Sequence, residues 1–276
     1  MPEYDLYATL YDFEYDDVLD DIPFFRDLAV RSGGPALELA CGTGRVLIPV
    51  AEAGVEVVGL DISLPMLAVA QEKVSLLAPE VQQRITLGEG DMRDFDLGAG
   101  RFALVYIPFR SFLHLLTVED QLQALAVIRR SMRPEGRLAL AFFNPRLDYI
   151  APRLTSRGAT TFLEDTYDLL NGERLLQWAC TRYDAYTQVS RTERMYDRVG
   201  ADGRLIERTY RQITVRWMYR YEAEHLFIRA GFEVEALYGD FAGSPFTATS
   251  EEQVWVLRPA GPRSAARRRT SRRSRG

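Results

Sequence analysis

The sequence predicts an α/β fold: a doubly wound, mostly parallel, seven-stranded Rossmann-like sheet with an antiparallel β insertion after strand five. Three observations predict it. Between residues 36 and 143 short apolar runs alternate with helical stretches, and parallel strands need a crossover helix, whose hand is right-handed. After Pro145 the apolar residues recur with period two, as in antiparallel strands covered on one face. Two last apolar runs, at 232–237 and 253–257, return to finish the main sheet.

Residues 36–41 read as a buried strand that turns through Gly42 and Gly44 into a helix ending near Glu52. Residues 55–61 form a second strand ending in an acid, and Ser63 caps the helix that runs to about Leu77. Strands at 85–91 and 102–107 flank a turn-rich stretch. The helix at 118–132 stops before Pro134 and Gly136, and 137–143 makes strand five. In the insertion, Ile213, Val215, Trp217 and Tyr219 alternate with Gln212, Thr214, Arg216 and Arg220, and the run Gly200-Ala201-Asp202-Gly203 signals a hairpin turn. About three strands are expected there, with the insertion's arginines on a solvated face. A helix at 221–230 ends at Gly231.

Composition bounds the function. With 276 residues, 47% apolar and 26% charged, the chain can bury roughly three quarters of its unfolded surface, which excludes wholesale disorder and a disulfide scaffold. The net charge of −5 is unevenly laid out, because residues 259–276 hold seven arginines and no acid. Without those seven, 27 basic residues face 39 acids, a body of −12. Such a body argues against a nucleic-acid or anionic-membrane surface, which leaves the tail as the one basic arm. Lys73 is the only lysine. Cys41, Cys180, His114 and His225 show no metal-ligand spacing, so no metal is expected, and the cysteine usage suits a reducing, cytoplasmic setting. The N-terminal stretch lacks a signal-peptide layout, and no apolar run approaches a membrane span.

An open α/β sheet binds its ligand beyond the carboxyl ends of its strands. Those ends carry Glu38-Leu39-Ala40-Cys41-Gly42-Thr43-Gly44, then Asp61, then Gly90-Asp91-Met92, then Tyr106-Ile107. The glycines allow a tight turn and close backbone approach, Asp61 is placed to accept from two ribose hydroxyls, and Asp91 from an adenine amino group with Met92 on the ring. A nicotinamide dinucleotide site, the alternative, wants a third glycine for the pyrophosphate where this chain has Leu47.

These motifs resemble the class I S-adenosylmethionine-dependent methyltransferases: E-L-A-C-G-T-G at 38–44, V-V-G-L-D at 57–61, G-D-M at 90–92, and later Arg133-Pro134-Glu135-Gly136 and Ala230-Gly231-Phe232. The resemblance spans about residues 4–258. It implies S-adenosyl-L-methionine as cofactor, with the methionine part over Ala40, Gly42 and Gly44, the ribose on Asp61, the adenine against Ile62, Asp91 and Met92, and Glu38 orienting the ammonium. Tyr11, Met66 and Ile107 complete the expected contacts.

The stretch from Phe109 to Leu115, with Tyr11 to Tyr15, is similar to small-molecule methyltransferases, including those that dimethylate amino groups on nucleotide-linked sugars. In such enzymes a histidine and a tyrosine at these places face the acceptor, which makes His114 and Tyr15 the catalytic candidates. A lone histidine among leucines equally suits a hydrogen-bonded structural position. Tyrosines cluster at Tyr4, Tyr7, Tyr11 and Tyr15, and seven more fall between Tyr167 and Tyr221, as suits the walls of an acceptor chamber. The expected layout is therefore a helical cover at 1–30, a donor-binding core at 31–148, an insertion at 149–220 on the acceptor or dimer side, a closing helix and two strands at 221–258, and a disordered tail at 259–276. The reaction implied is methyl transfer to an oxygen, nitrogen or carbon of a small molecule. An RNA methyltransferase using the basic tail, and a scaffold that binds the donor without turnover, stay open as alternatives.

Overall fold

The computed structural model describes residues 8–15, 17–154 and 161–261. Tyr4, Tyr7 and residues 262–276 of the expected tail lie outside the described residues.

Helix α1 (Ala8–Tyr15) and helix α2 (Ile22–Ser32) precede β1 (Ala36–Leu39). The chain continues through α3 (Leu47–Glu52), β2 (Val57–Asp61), α4 (Leu64–Ser75), α5 (Pro79–Gln82), β3 (Ile85–Glu89) and β4 (Phe102–Ile107). A 3-10 turn at Ser111–His114 leads to α6 (Val118–Ser131) and β5 (Met132–Phe143). The insertion comprises α7 (Leu147–Leu154), β6 (Phe162–Asp168), β7 (Arg174–Asp184), β8 (Val189–Val199) and β9 (Leu205–Arg216), and α8 (Arg220–Arg229), β10 (Phe232–Tyr238) and β11 (Glu252–Pro259) follow. The helix starts have local causes: Ser63 accepts a long 3.4 Å bond from the Met66 amide, and Thr117 accepts from Asp120 at 3.1 Å.

The main sheet has seven strands in the order β10-β11-β5-β4-β1-β2-β3. The five strands from β5 to β3 run parallel, and β11 is antiparallel to both β5 and β10. Every residue of β1, β2 and β4 is buried, as expected for strands covered on both faces. On one face Leu37, Val105, Leu138 and Phe142 pack with Leu125 and Ile128 of α6 and Leu226 and Phe227 of α8. On the other, Ala36, Val57, Leu104 and Tyr106 pack with Phe25 of α2 and Leu47 and Val50 of α3. Gly59 permits this second layer to close, since a Cβ there would stand 2.3 Å from Leu47 Cδ1 and 2.9 Å from Cys41 Sγ.

Two expectations need correction. The insertion forms four antiparallel strands, β6-β7-β8-β9, where about three were expected. The missed β6 carries Glu164 and Asp165 in its middle and is mostly exposed, so it lacks an apolar alternation; pairing with β7 makes it a strand. Second, the insertion's arginines are not confined to a solvated face, for the Arg211 side chain is 2% exposed and that of Arg194 16%. Strand five also begins earlier than expected, because Met132 already pairs with Phe102 before a register shift absorbs residues 133–136. The hairpin turn at Gly200 is as read, closed by Gly200 and Arg204 and by Gly203 and Gly200 at 2.9 Å each. Among the described residues no helix is long and apolar enough to cross a membrane.

Candidate functional site

Strand order reverses between β1 and β4, which are neighbours at the centre of the sheet. Backbone strain collects at their carboxyl ends. Ala40 has φ 58°, Phe109 54° and Arg110 67°, all left-handed without being glycine. Each costs about 1–2 kcal/mol, and such strain gathers where a binding loop must be pre-shaped. Gly42 (φ 55°) and Gly44 (φ 82°) complete a tight loop after β1, with Met66 Cε 3.6 Å from where a Gly42 side chain would begin.

Asp61, at the end of β2, ties this loop to the neighbouring strand. Its two carboxylate oxygens accept from the Gly42 and Ser63 amides, at 2.8 Å each. A carboxylate oxygen can accept more than one hydrogen bond, so these two amide bonds do not by themselves saturate Asp61. Glu38 lies deeper, directly beside Tyr106 in the β1–β4 register. Burial pushes its carboxyl up to about 8, against the pull of the Tyr106 hydroxyl and Arg45. Glu38 Oε2 and the Tyr106 hydroxyl complete no hydrogen bond.

A cavity of about 190 Å³ opens beside these strand ends, walled by Leu39, Ala40, Leu60, Ile62, Gly90, Asp91, Met92, Arg93, His114 and Leu115. Five of the residues singled out from sequence thus meet in one space: Ala40, Ile62, Asp91, Met92 and His114. The Asp91 carboxyl is occupied from within, for Arg93 donates to it from its backbone amide at 2.8 Å and from its guanidinium at 2.6–3.1 Å. Those bonds hold Asp91 below its ordinary pKa. Ile107 is fully buried in the core and does not reach the wall of this cavity.

Tyr11, Tyr15 and Met66 belong to a second group, in which α1 is held between the main sheet and the insertion. Met66 and Phe109 pack on one side of it and Leu175 and Tyr196 on the other. The Tyr15 ring meets Phe109 at 4.8 Å and Tyr11 at 4.9 Å. Asp12 fastens α1 to the loop below, accepting from Thr43 Oγ1 and pairing with Lys73 Nζ, both at 2.6 Å. The single lysine of the chain therefore clamps α1 to α4. Glu14 fastens the opposite side: it pairs with Arg194 and, at 3.4 Å, with Arg211, and accepts from Tyr196 at 2.9 Å. Arg194 also donates to the Tyr15 hydroxyl at 2.9 Å. Burial, the largest cause, raises the Tyr15 pKa, so the phenol keeps its proton at neutral pH. Glu14, Arg194 and Arg211 are site features that sequence reading missed, and only the 3D pairing of β8 with β9 brings the two arginines together.

A wider cleft of about 1240 Å³ lies on the other side of Phe109, between the segment around Val18 to Pro23 and the β10–β11 loop. Asp20, Asp240 and Glu251 are among its lining residues. Asp240 is held below its ordinary pKa by the Ser244 side chain and amide. Among the described residues no group of three His, Cys, Asp or Glu is arranged to hold a metal ion.

Residues 36–136, which span β1 to the start of β5, match a family model described as a methyltransferase domain. That domain and the seven-stranded sheet give the chain the fold of the S-adenosylmethionine-dependent methyltransferases. This methyltransferase is 29% identical to the cypemycin N-terminal methyltransferase of a Streptomyces species, over 82% of this chain and 83% of that protein. It is 29% identical, over 75% of its length and 73% of the relative's, to a dTDP-3-amino-3,6-dideoxy-alpha-D-glucopyranose N,N-dimethyltransferase of Streptomyces fradiae. Among solved structures, the CcbJ methyltransferase of Streptomyces caelestis superposes with a TM-score of 0.74 at 25% identity, covering 94% of this methyltransferase and 98% of CcbJ. Against several other curated relatives the methyltransferase spans about half of their length.

Proposed function

We propose that this methyltransferase moves the methyl group of S-adenosylmethionine onto an amine nitrogen of a small molecule. The observation that carries the reading is the cavity at the reversal of strand order, walled by Ala40, Ile62, Asp91, Met92 and His114, with Asp61 beneath its loop. The residues fit the donor. Gly42 and Gly44 clear the loop of side chains, Asp61 has lone pairs for two ribose hydroxyls, and the unpartnered Glu38 Oε2 is an acceptor for an ammonium. Ile62 and Met92 would flank the adenine, with Asp91 steadied by Arg93 beside it.

When bound, the donor supplies a sulfonium-activated methyl. The chain's own task is to align the acceptor with it and exclude water, which can contribute about 7–11 kcal/mol. Tyr11, Tyr15 and Phe109 form an aromatic wall for that purpose, and His114 is the candidate to take a proton from the acceptor. Carboxylates along the wide cleft, Asp20, Asp240 and Glu251, favour a cationic acceptor over an anionic one. The N-methylating relatives support the same choice. Two free, buried cysteines suit a reducing cytoplasm, and exposed Leu205, Ile206 and Tyr210 on β9 offer a face for a second copy.

Thermal shift with S-adenosylmethionine, S-adenosylhomocysteine, NAD and NADP tests the donor. A ligand at 100 times its Kd stabilises by about 2.7 kcal/mol, and only the first two should do so. Transfer of labelled methyl to primary and secondary amines, against phenols and carboxylic acids, tests the acceptor. Labelling confined to oxygen would overturn the amine reading.

A further inference from the structure

One carboxylate oxygen of the buried Glu38 is left without a hydrogen bond. Glu38 is 1% exposed and Tyr106 is fully buried, they face each other across β1 and β4, and neither Glu38 Oε2 nor the Tyr106 hydroxyl completes a hydrogen bond. An ionised carboxylate in that position would lack both water and a paired cation, a state far costlier than the neutral acid.

The charged and titratable groups around Glu38 reinforce this. Arg45, on the loop after β1, is the cation that acts on Glu38 among the described residues, but it is committed to Asp21 through two bonds of 2.7 Å. Asp21, just before α2, and Asp61, at the end of β2, both push against a further negative charge. Cys41 beside them keeps its thiol proton, and so does the Tyr106 phenol, in each case chiefly through burial. Burial and these neighbours together lift the Glu38 carboxyl to about 8, so at neutral pH the free protein holds the acid form.

We infer that Glu38 carries a proton in the free protein and releases it to solvent when the ammonium group of the methyl donor arrives, with Tyr106 as the positioning residue of that exchange. This rests on the donor reading above. An ammonium brings both a positive charge and N–H donors, the two things that Glu38 lacks, and either one favours the carboxylate. One proton leaves for each donor bound, and the charge of the buried site is balanced before and after. The exchange also selects the ligand, since a molecule with the adenosine but no ammonium cannot draw the proton out.

Calorimetry at pH 6.5 in phosphate and in Tris, whose ionisation enthalpies differ, counts the protons released. S-adenosylmethionine should release close to one, and 5′-methylthioadenosine, which lacks the amino-acid part, none. Affinity for S-adenosylmethionine should rise close to tenfold per pH unit between pH 6 and 7. In Glu38→Gln the donor should bind without proton release and with a flat profile. Tyr106→Phe should keep the release but move the profile to higher pH, because the phenol lowers the Glu38 pKa. Equal release with both ligands, or none with S-adenosylmethionine, overturns the inference without any variant having to fold. If S-adenosylmethionine does not bind at all, the donor reading falls with it; if it binds with no proton exchanged, only this inference falls.

Discussion

Glu38 also gives the folded chain a pH dependence of its own. Burial raises its carboxyl from 4.5 to about 8, so between those values the folded state binds a proton that the unfolded state has lost. Linkage then fixes the sign: this group's contribution is fully present below about pH 4.5, and stability falls as pH rises toward 8. The full loss is on the order of 5 kcal/mol, of which the interval from pH 6 to about 8 carries about 2.7 kcal/mol. Urea unfolding at pH 6 and pH 8.5 should show that smaller share, about 2.7 kcal/mol, in the wild type and not in Glu38→Gln; parallel losses in the two proteins would rule it out. Asp61 behaves differently, since its oxygens already serve the Gly42 and Ser63 amides. Asp61→Ala strands two buried donors, at about 1–3 kcal/mol each, and removes the ribose acceptors. Donor affinity should fall roughly 100-fold by calorimetry, and an unchanged Kd would remove Asp61 from the site. The two acids differ in how legible they were. Asp61 could be placed from its position at a strand end, whereas the Glu38 and Tyr106 pairing depends on which strand becomes the neighbour of β1, and no local pattern encodes that.

Helix α1 is a short element that borrows its stability from its two flanks. Eight residues are too few to persist alone, and Asp12 and Glu14 fasten it to the main domain and to the insertion. The tyrosine spacing pointed to a cover, yet the arginines opposite it read as a solvated sheet face. That reading failed because alternation along a strand reports two faces without saying which is inward, and a buried arginine is admitted wherever an acid meets it. Glu14→Ala leaves Arg194 and Arg211 without that acid, and should cost about 3–5 kcal/mol in urea unfolding. Glu14→Gln, which keeps the shape and one acceptor, should cost less. A Glu14→Ala protein within about 0.5 kcal/mol of wild type would show that the buried arginines are satisfied elsewhere. Strand β6 was illegible for a related reason, since the β7 ladder gives it the partner that its own charged residues do not announce.

At the scale of the whole molecule, the succession of parallel strands and crossovers along the chain was readable because each buried run is apolar throughout and each crossover is bounded by a cap, a glycine or a proline. The chain's charge was readable as a sum and misleading as one. The sheet is complete at Pro259: β11 pairs with β5 from Glu252 and with β10 through Pro259, and the Ala260 amide closes onto Gly231 at 2.9 Å. All seven arginines of the C-terminal run lie after that closure, at 263 and beyond. Deleting residues 262–276 therefore takes nothing from the main-sheet ladder. It moves the net charge from −5 to −12 by removing seven arginines and no acid. The truncated protein should keep its unfolding free energy to within about 0.5 kcal/mol and its donor affinity unchanged, while eluting later from an anion exchanger. A larger loss of stability would mean that the arginines pair with the acidic body. The salt dependence of that loss would then identify the contact, because an exposed ion-pair network weakens as the Debye length shrinks from about 10 Å at 0.1 M to about 3 Å at 1 M salt, whereas a packed contact does not.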